Sequence, residues 1–131
     1  MRIDNPLLAI GGVGFLAFGA WMLVAPQSAM TMVGLAVPDG AAATEIRAFY
    51  GGLELGLGAL LLAAVHKVQY QRAGLVLGCV SYGSIGGARL LGMAVDRDPS
   101  AFLWLALVIE LGLAAGYWWR LRTGKRVATS G

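Results

Sequence analysis

Four long apolar stretches, separated by shorter polar segments, give the sequence its pattern. The stretches run over about residues 7–24, 44–65, 73–94 and 101–119. Each approaches the ~20 residues that a helix needs to cross about 30 Å of hydrocarbon. Because an open sheet edge cannot be satisfied in lipid, a helix is the structure open to such segments. The pattern predicts an all-α integral membrane protein, a four-transmembrane-helix bundle that forms a single domain over residues 1–131.

The segments between these stretches predict the loops. His66–Arg72 is expected to form a tight basic turn, and Asp96–Ser100 a turn in which Pro99 starts the fourth helix. The longer segment 25–43 lies between helices one and two, and its apolar middle is too short to span a membrane. We expect an interfacial or partly re-entrant segment on the outer face, which either rests on headgroups or covers the bundle as a lid.

Basic residues are distributed unevenly between the two sides that this topology defines. The side that carries both termini holds seven of them: Arg2, Lys67, Arg72, Arg120, Arg122, Lys125 and Arg126. The opposite side holds three: Arg47, Arg89 and Arg97. The positive-inside rule therefore predicts that the N-terminus and the C-terminus are both cytoplasmic, with residues 120–131 as a basic tail.

Composition agrees with a lipid environment. The chain is 58% hydrophobic and 13% charged, whereas a soluble domain carries about 25% charged residues. Its glycines include pairs four residues apart, a spacing that lets a neighbouring helix backbone approach closely. The pairs are Gly52 and Gly56, Gly74 and Gly78, Gly83 and Gly87, and Gly112 and Gly116. We expect them to pack helices within one molecule, with a dimer seam as the alternative.

Charged side chains inside the predicted spans are the candidates for a functional site. A charge at the bilayer centre costs about 2.5–3.5 kcal/mol on insertion scales, so we expect such residues to face the bundle interior and find partners. Spacings of seven place residues on one helix face, and they predict that Arg47 and Glu54 share a face of helix two, as Tyr82 and Arg89 do on helix three. The sequence predicts a polar pocket that opens outward, formed by Arg47, Tyr50, Glu54, Tyr82, Arg89 and Glu110. The pocket either binds a small molecule or proton, or consists of ion pairs that fix helix register.

Other chemistry has few residues to support it. His66 is the one histidine and Cys79 the one cysteine, which excludes histidine clusters for haem, an internal disulfide and a dithiol cycle. We therefore expect no metal, no cofactor and no catalytic residue. Nucleic-acid binding needs a soluble basic face, which this chain lacks.

The segment Glu45-Ile-Arg47-Ala-Phe-Tyr50-Gly51-Gly52-Leu-Glu54, with Arg72-Ala-Gly74-Leu, Gly87-Ala-Arg89, Asp96 and Glu110, resembles the bacterial family called domain of unknown function 4345. The resemblance extends from helix two to helix four, and its most specific part is Arg-x-x-Tyr-Gly-Gly. It implies a small four-helix protein, similar in architecture to the DoxX-like group, in the bacterial cytoplasmic (inner) membrane. The family has no established activity to carry over.

Three functions follow as hypotheses. We expect a non-catalytic membrane protein, either an accessory or assembly subunit of a larger membrane complex or a binder of a lipid or quinone-like ligand. Its partners would then be the lipid bilayer and a larger complex or further copies of itself. An oligomeric proton-coupled transporter is the alternative, because Glu54 and Glu110 lie near midplane depth. A membrane enzyme acting on a lipid is a second alternative, with Arg47 and Arg89 holding an anionic headgroup and a glutamate as acid or base.

Overall fold

A computed structural model of the protein describes residues 5–97 and 100–124. Over these residues the chain is all-helical, without strands. Four helices are long and apolar enough to cross a membrane: Pro6–Val24, Ala41–His66, Val68–Asp96 and Ala101–Thr123. This confirms the four long helices that the hydropathy pattern predicts. Predictions on Arg2, Pro99, Lys125 and Arg126 fall outside the described residues.

The helices in chain order are α1 (Pro6–Val24), α2 (Pro26–Thr31), α3 (Ala41–Ile46), α4 (Leu53–His66), α5 (Val68–Asp96) and α6 (Ala101–Thr123). A π-helical turn, Arg47–Gly52, joins α3 to α4, so that the three form one continuous span. α1 begins at Pro6, whose fixed φ suits a first helical position. α6 begins after Ser100, whose side chain accepts a hydrogen bond of 3.4 Å from the Leu103 N–H.

The tight turn predicted at His66–Arg72 is wrong in its extent. α4 ends at His66 and α5 begins at Val68, so the connection is the single residue Lys67. Lys67 is extended, with φ −120° and ψ 106°, and its carbonyl accepts a hydrogen bond of 2.9 Å from the Tyr70 N–H. The five residues that follow Lys67 contain neither proline nor glycine, so nothing in them interrupts a helix.

The outer segment 25–43 contains α2 and a glycine turn. Gly34 has φ +75°, and it ends α2 in a Schellman arrangement. The Leu35 N–H donates to the Met30 carbonyl at 3.1 Å, and the Gly34 N–H donates to the Thr31 carbonyl at 3.0 Å. Ala29 and Met30 are buried in a cluster whose other members are Met22, Phe18, Val37 and Ile46. The segment is therefore packed against residues of α1 and α3.

Contacts divide the chain into two compact units, residues 9–63 and residues 1–8 with 64–131. In the first unit, α1 and α4 run antiparallel with their backbones in contact. A Cβ atom on Gly58 would lie 2.8 Å from the Gly12 carbonyl oxygen, and one on Gly19 would lie 2.9 Å from the Leu55 nitrogen. Close approach at these positions therefore requires glycine. The single-domain prediction itself stays a prediction.

In the second unit, α5 and α6 run antiparallel. The face of α5 that packs within this unit carries its buried residues, Gln71, Gly74, Leu75, Gly78, Tyr82 and Gly86. A Cβ on Gly74 would lie 2.6 Å from the Cβ of Ala64, and one on Gly78 would lie 2.5 Å from the Tyr117 ring. The prediction of packing within the molecule is thus confirmed for this glycine pair. By contrast, a Cβ built at Gly56, Gly87 or Gly112 would have no described atom within 4 Å apart from the adjacent backbone of its own helix.

Candidate functional site

The structure brings together two of the six predicted pocket residues as an ion pair, Arg89 of α5 and Glu110 of α6. Arg89 Nε donates to Glu110 Oε2 at 2.8 Å, and Arg89 Nη2 donates to Glu110 Oε1 at 2.6 Å. The two parallel bonds form the fork that guanidinium and carboxylate groups favour. The side chains are 24% and 12% exposed, respectively, so the pair is largely withdrawn from the surface.

Gly86 makes this pairing geometrically accessible. It lies one turn before Arg89, where a Cβ atom would be 2.8 Å from Leu111 Cδ2 and 3.3 Å from Glu110 Cβ. The absence of a side chain therefore lets α6 approach α5 beside the ion pair. Arg89 lies seven residues before the end of α5, and Glu110 nine residues after the start of α6. At ~1.5 Å per residue, the pair is about 10–14 Å from the helix ends that the connection joins.

Two buried tyrosines lie further along the same helices. The rings of Tyr82 and Tyr117 stack with centroids 6.1 Å apart and planes 14° apart. The Tyr117 hydroxyl donates to the Leu7 carbonyl oxygen at 2.7 Å, which gives a buried phenol the polar partner it needs. Sequence reasoning included Tyr82 but missed Tyr117. The spacing of Glu110 and Tyr117, seven residues like that of Tyr82 and Arg89, was the signal that could have found it.

Arg47 has a different partner from Arg89. Its Nε donates to the Leu23 carbonyl oxygen at 3.1 Å, and its side chain is half-buried. α1 ends at Val24 and Pro26 has no N–H, so the last carbonyls of α1 lack their usual helical donors. A cation at a helix C-terminus also interacts favourably with the helix dipole. Arg47 therefore caps the end of α1.

The π-helical turn Arg47–Gly52 changes which residues share a face. The prediction that Arg47 and Glu54 lie on one face assumes α-helical geometry over all seven residues. A π turn closes i to i+5 hydrogen bonds and shifts the helical phase. Both residues nevertheless face α1: Arg47 donates to the Leu23 carbonyl, and Glu54 Cβ lies 3.1 Å from the Cβ site of Gly19. Gly51 within the turn packs on Leu23, where a Cβ would lie 3.1 Å from the Leu23 backbone. Tyr50 is exposed, and Glu54 is half-buried.

The six predicted residues thus divide between the two units. Arg47, Tyr50 and Glu54 belong to the first, and Tyr82, Arg89 and Glu110 belong to the second. A pocket that joins all six stays a prediction. Among residues 5–97 and 100–124, no group of three or more histidine, cysteine or acidic residues could hold a metal ion.

The observed site is a bidentate ion pair that clamps α5 to α6, formed by Arg89 and Glu110. Both Glu110 oxygens accept hydrogen bonds from one guanidinium, which holds the carboxylate in a fixed orientation. The pair as arranged joins α5 to α6 through both Glu110 oxygens.

Sequence comparison adds family membership to this geometry. Neither a curated protein nor a solved structure matches the chain. The family described as domain of unknown function (DUF4345) matches residues 3–121, which include the π turn, the tyrosine stack and the Arg89–Glu110 pair. The chain therefore belongs to the DUF4345 family, as its resemblance to that family implied.

Proposed function

We propose that this protein is a non-catalytic integral membrane protein that acts as an accessory or assembly subunit of a larger membrane complex and binds lipid. One observation carries the proposal, the bidentate pairing of Arg89 with Glu110. The most deeply placed carboxylate of the second unit is already used to hold two helices together. The helix surfaces, rather than a reaction centre, are then what the protein offers to other molecules.

The exposed surface supports location in a membrane. On α6 the exposed residues include Trp104, Leu105, Val108 and Ile109, of which Val108 is 66% exposed. A water-soluble monomer rarely exposes contiguous apolar patches larger than a few hundred Å². Lipid tails and the helices of partner proteins are the environments that such a surface fits.

The proposal includes the bacterial cytoplasmic membrane, with both termini on the cytoplasmic side. It is supported by the basic residues at one end of the second unit: Lys67, Arg72, Arg120 and Arg122. Antiparallel helices bring the start of α5 and the end of α6 to the same end. Such an excess of basic residues is characteristic of cytoplasmic loops and tails.

Complementation with an uncharged pair tests the proposal. In the double variant Arg89→Gln/Glu110→Gln, two amides can still hydrogen-bond to each other, but neither side chain can ionise. Glu54→Gln serves as a second carboxylate variant. We expect each protein to fold and to restore fully whatever phenotype a deletion strain shows.

A proton-coupled transporter or an acid–base enzyme requires the carboxylate itself. Those functions predict that at least one variant is as stable as the wild type yet inactive. Melting in detergent, measured on the same preparations, separates this result from misfolding. Folded but inactive variants would overturn the non-catalytic proposal.

A further inference from the structure

A shallow groove of about 680 Å³ runs along α5 on the side away from its buried face. Its lining residues are Gln69, Arg72, Ala73, Val76, Leu77 and Val80. They recur at intervals of three and four residues, as expected for one stripe of a helix. The first two lining residues are polar and the other four are apolar. The groove therefore has a cationic head at Arg72 and an apolar body about 12 Å long from Arg72 to Val80, at ~1.5 Å per residue.

The described charges near the head of the groove are positive. Arg72 follows Lys67 in the first turns of α5, and α6 brings Arg120 and Arg122 to the same end of the unit. The described carboxylates of this unit are those of Asp96 and Glu110. Asp96 follows Arg72 by 24 residues along α5 (96 − 72), or about 36 Å, and Glu110 is paired with Arg89.

Two of the basic residues at this end of the unit contact aromatic rings, whereas the described residues provide no such ring for Arg72. Lys67 Nζ lies 5.7 Å from the centroid of the Tyr70 ring, and the Arg122 guanidinium lies 4.6 Å from that of Trp118. Cation–π contacts of this kind hold both cationic groups close to these rings. Arg72 is exposed at the head of the groove, where a guanidinium can bind a phosphate through two hydrogen bonds.

We propose that this groove binds one anionic phospholipid of the cytoplasmic leaflet, with its phosphate on Arg72 and an acyl chain along Ala73, Val76 and Val80. The inference rests on the membrane location in the proposed function, and it names the lipid class. The polar-to-apolar order of the groove matches the order of a phospholipid from headgroup to tail. A zwitterionic lipid presents the same phosphate with an attached cation, which the basic end of the unit repels. The cytoplasmic leaflet is also the one that is rich in anionic lipid.

Native mass spectrometry of the purified full chain in mild detergent tests this site. The probes are phosphatidylglycerol and phosphatidylcholine with identical acyl chains, each titrated against the protein. We expect one equivalent of phosphatidylglycerol to bind at least about fivefold more tightly than phosphatidylcholine, the effect of about one basic residue at a membrane surface.

Three variants locate the binding. Arg72→Gln should remove most of this preference, whereas Arg122→Gln, with the same charge change at the same end, should keep it. Ala73→Trp fills the groove with every cation retained and should weaken phosphatidylglycerol binding about tenfold. All three positions are on the surface of the helices, so melting temperatures should stay near that of the wild type.

Equal losses in Arg72→Gln and Arg122→Gln would mean that diffuse charge attracts the lipid, which would overturn the site. Equal affinity of the wild type for both lipids, or unchanged binding by Ala73→Trp, would overturn it as well. These outcomes leave the proposed function standing, because complementation by the Arg89→Gln/Glu110→Gln variant is measured independently. Conversely, a failure of that complementation leaves the lipid result intact.

Discussion

Arg89 and Arg47 are both arginines within apolar helices, and their environments give them different roles. Arg89 binds a carboxylate through two hydrogen bonds, so that one charge neutralises the other. Arg47 donates to a backbone carbonyl at the end of α1. The second arrangement leaves the positive charge to be compensated by the helix dipole and the surroundings. Substituting the two arginines should therefore have different consequences.

Replacing Arg89 should destabilise the protein through its partner. Arg89→Leu leaves Glu110 without its counter-ion, and breaking a buried pair in this way costs about 3–5 kcal/mol in soluble interiors. Protonation of the carboxyl group offsets part of the loss in a membrane. We expect a clear fall in the detergent melting temperature, with partial recovery in Arg89→Leu/Glu110→Leu, because the double variant leaves no unpaired charge. The double-mutant cycle gives the coupling energy.

Arg122→Leu is the matched control for this cycle. Arg122 lies over the Trp118 ring near the end of α6, and no carboxylate of the second unit that the structure describes lies at that end. We expect its melting temperature to stay close to that of the wild type. A wild-type melting temperature for Arg89→Leu would contradict the clamp and would indicate that the arginine is held by solvent or headgroups.

The sequence identifies the polar residues of the interior better than it identifies their partners. A charged side chain inside an apolar helix has a high free-energy cost in the bilayer, so it is rare and stands out in the sequence. Arg89 and Glu110 can therefore be identified from sequence alone. The partner of Arg47 could not be inferred in the same way. The Leu23 carbonyl becomes available because the helix stops before Pro26, and a backbone acceptor leaves no mark in the pattern of side chains.

At the scale of whole elements, the contact between α1 and α4 depends on glycines seven residues apart. Gly12 and Gly19 on α1 face the span that contains α4. Gly51 of the π turn and Gly58 of α4 face α1 in return. A seven-residue repeat keeps a seam facing its neighbour when two helices pack at a shallow left-handed angle. The sequence prediction used four-residue spacing instead. In a glycine-rich helix that spacing also arises at positions such as Gly56, whose Cβ site has no described atom within 4 Å apart from the adjacent backbone of its own helix.

Two alanine substitutions separate these kinds of glycine. Gly58→Ala places a Cβ atom 2.8 Å from a backbone oxygen of α1 and 2.8 Å from Leu16 Cγ. Overpacking of this kind costs about 1–3 kcal/mol, so we expect a lower melting temperature. Gly56→Ala adds the same methyl group two residues away, in open space. Because alanine favours helix over glycine by about 1 kcal/mol, that variant should melt at or above the wild-type temperature.

Gly58→Ala and Gly56→Ala add the same methyl group to the same helix, two residues apart. The two variants therefore differ in whether the added methyl group contacts α1. Equal melting temperatures for both variants would show that the contact between α1 and α4 adjusts to the added methyl group without loss of stability. A larger loss in Gly56→Ala would contradict the proposed role of the seven-residue seam and would point to a partner on the open face.

The π turn is the part of the second span that the sequence does not predict. Its hydrophobic length is visible in sequence, and the structure confirms a continuous helical span over Ala41–His66. The pair Gly51–Gly52 lies within the π turn, where weak local preference for an α-helix allows an extra residue. No periodicity marks that extra residue, so the turn itself is not visible in the sequence.

At the scale of the whole molecule, the distribution of charge is predicted more securely than the loops. The connection between α4 and α5 is the single residue Lys67. The described cations that sequence analysis assigned to one side nevertheless lie at one end of the second unit: Lys67, Arg72, Arg120 and Arg122. The positive-inside rule depends on which side a residue is on and not on whether it is in a loop or in the first turn of a helix. An error in the loop therefore leaves the predicted orientation intact.

The orientation is tested by reporters fused to the complete chain and inserted in its outer segment. Alkaline phosphatase folds outside the cytoplasm, whereas green fluorescent protein fluoresces when it remains inside. With Lys67, Arg72, Arg120 and Arg122 near the cytoplasmic surface, we expect C-terminal fusions to fluoresce and to lack phosphatase activity. Phosphatase inserted after Asp39, an exposed residue before α3, should be active. Phosphatase activity at the C-terminus would reverse the orientation, and the groove at Arg72 would then face the leaflet that is poorer in anionic lipid.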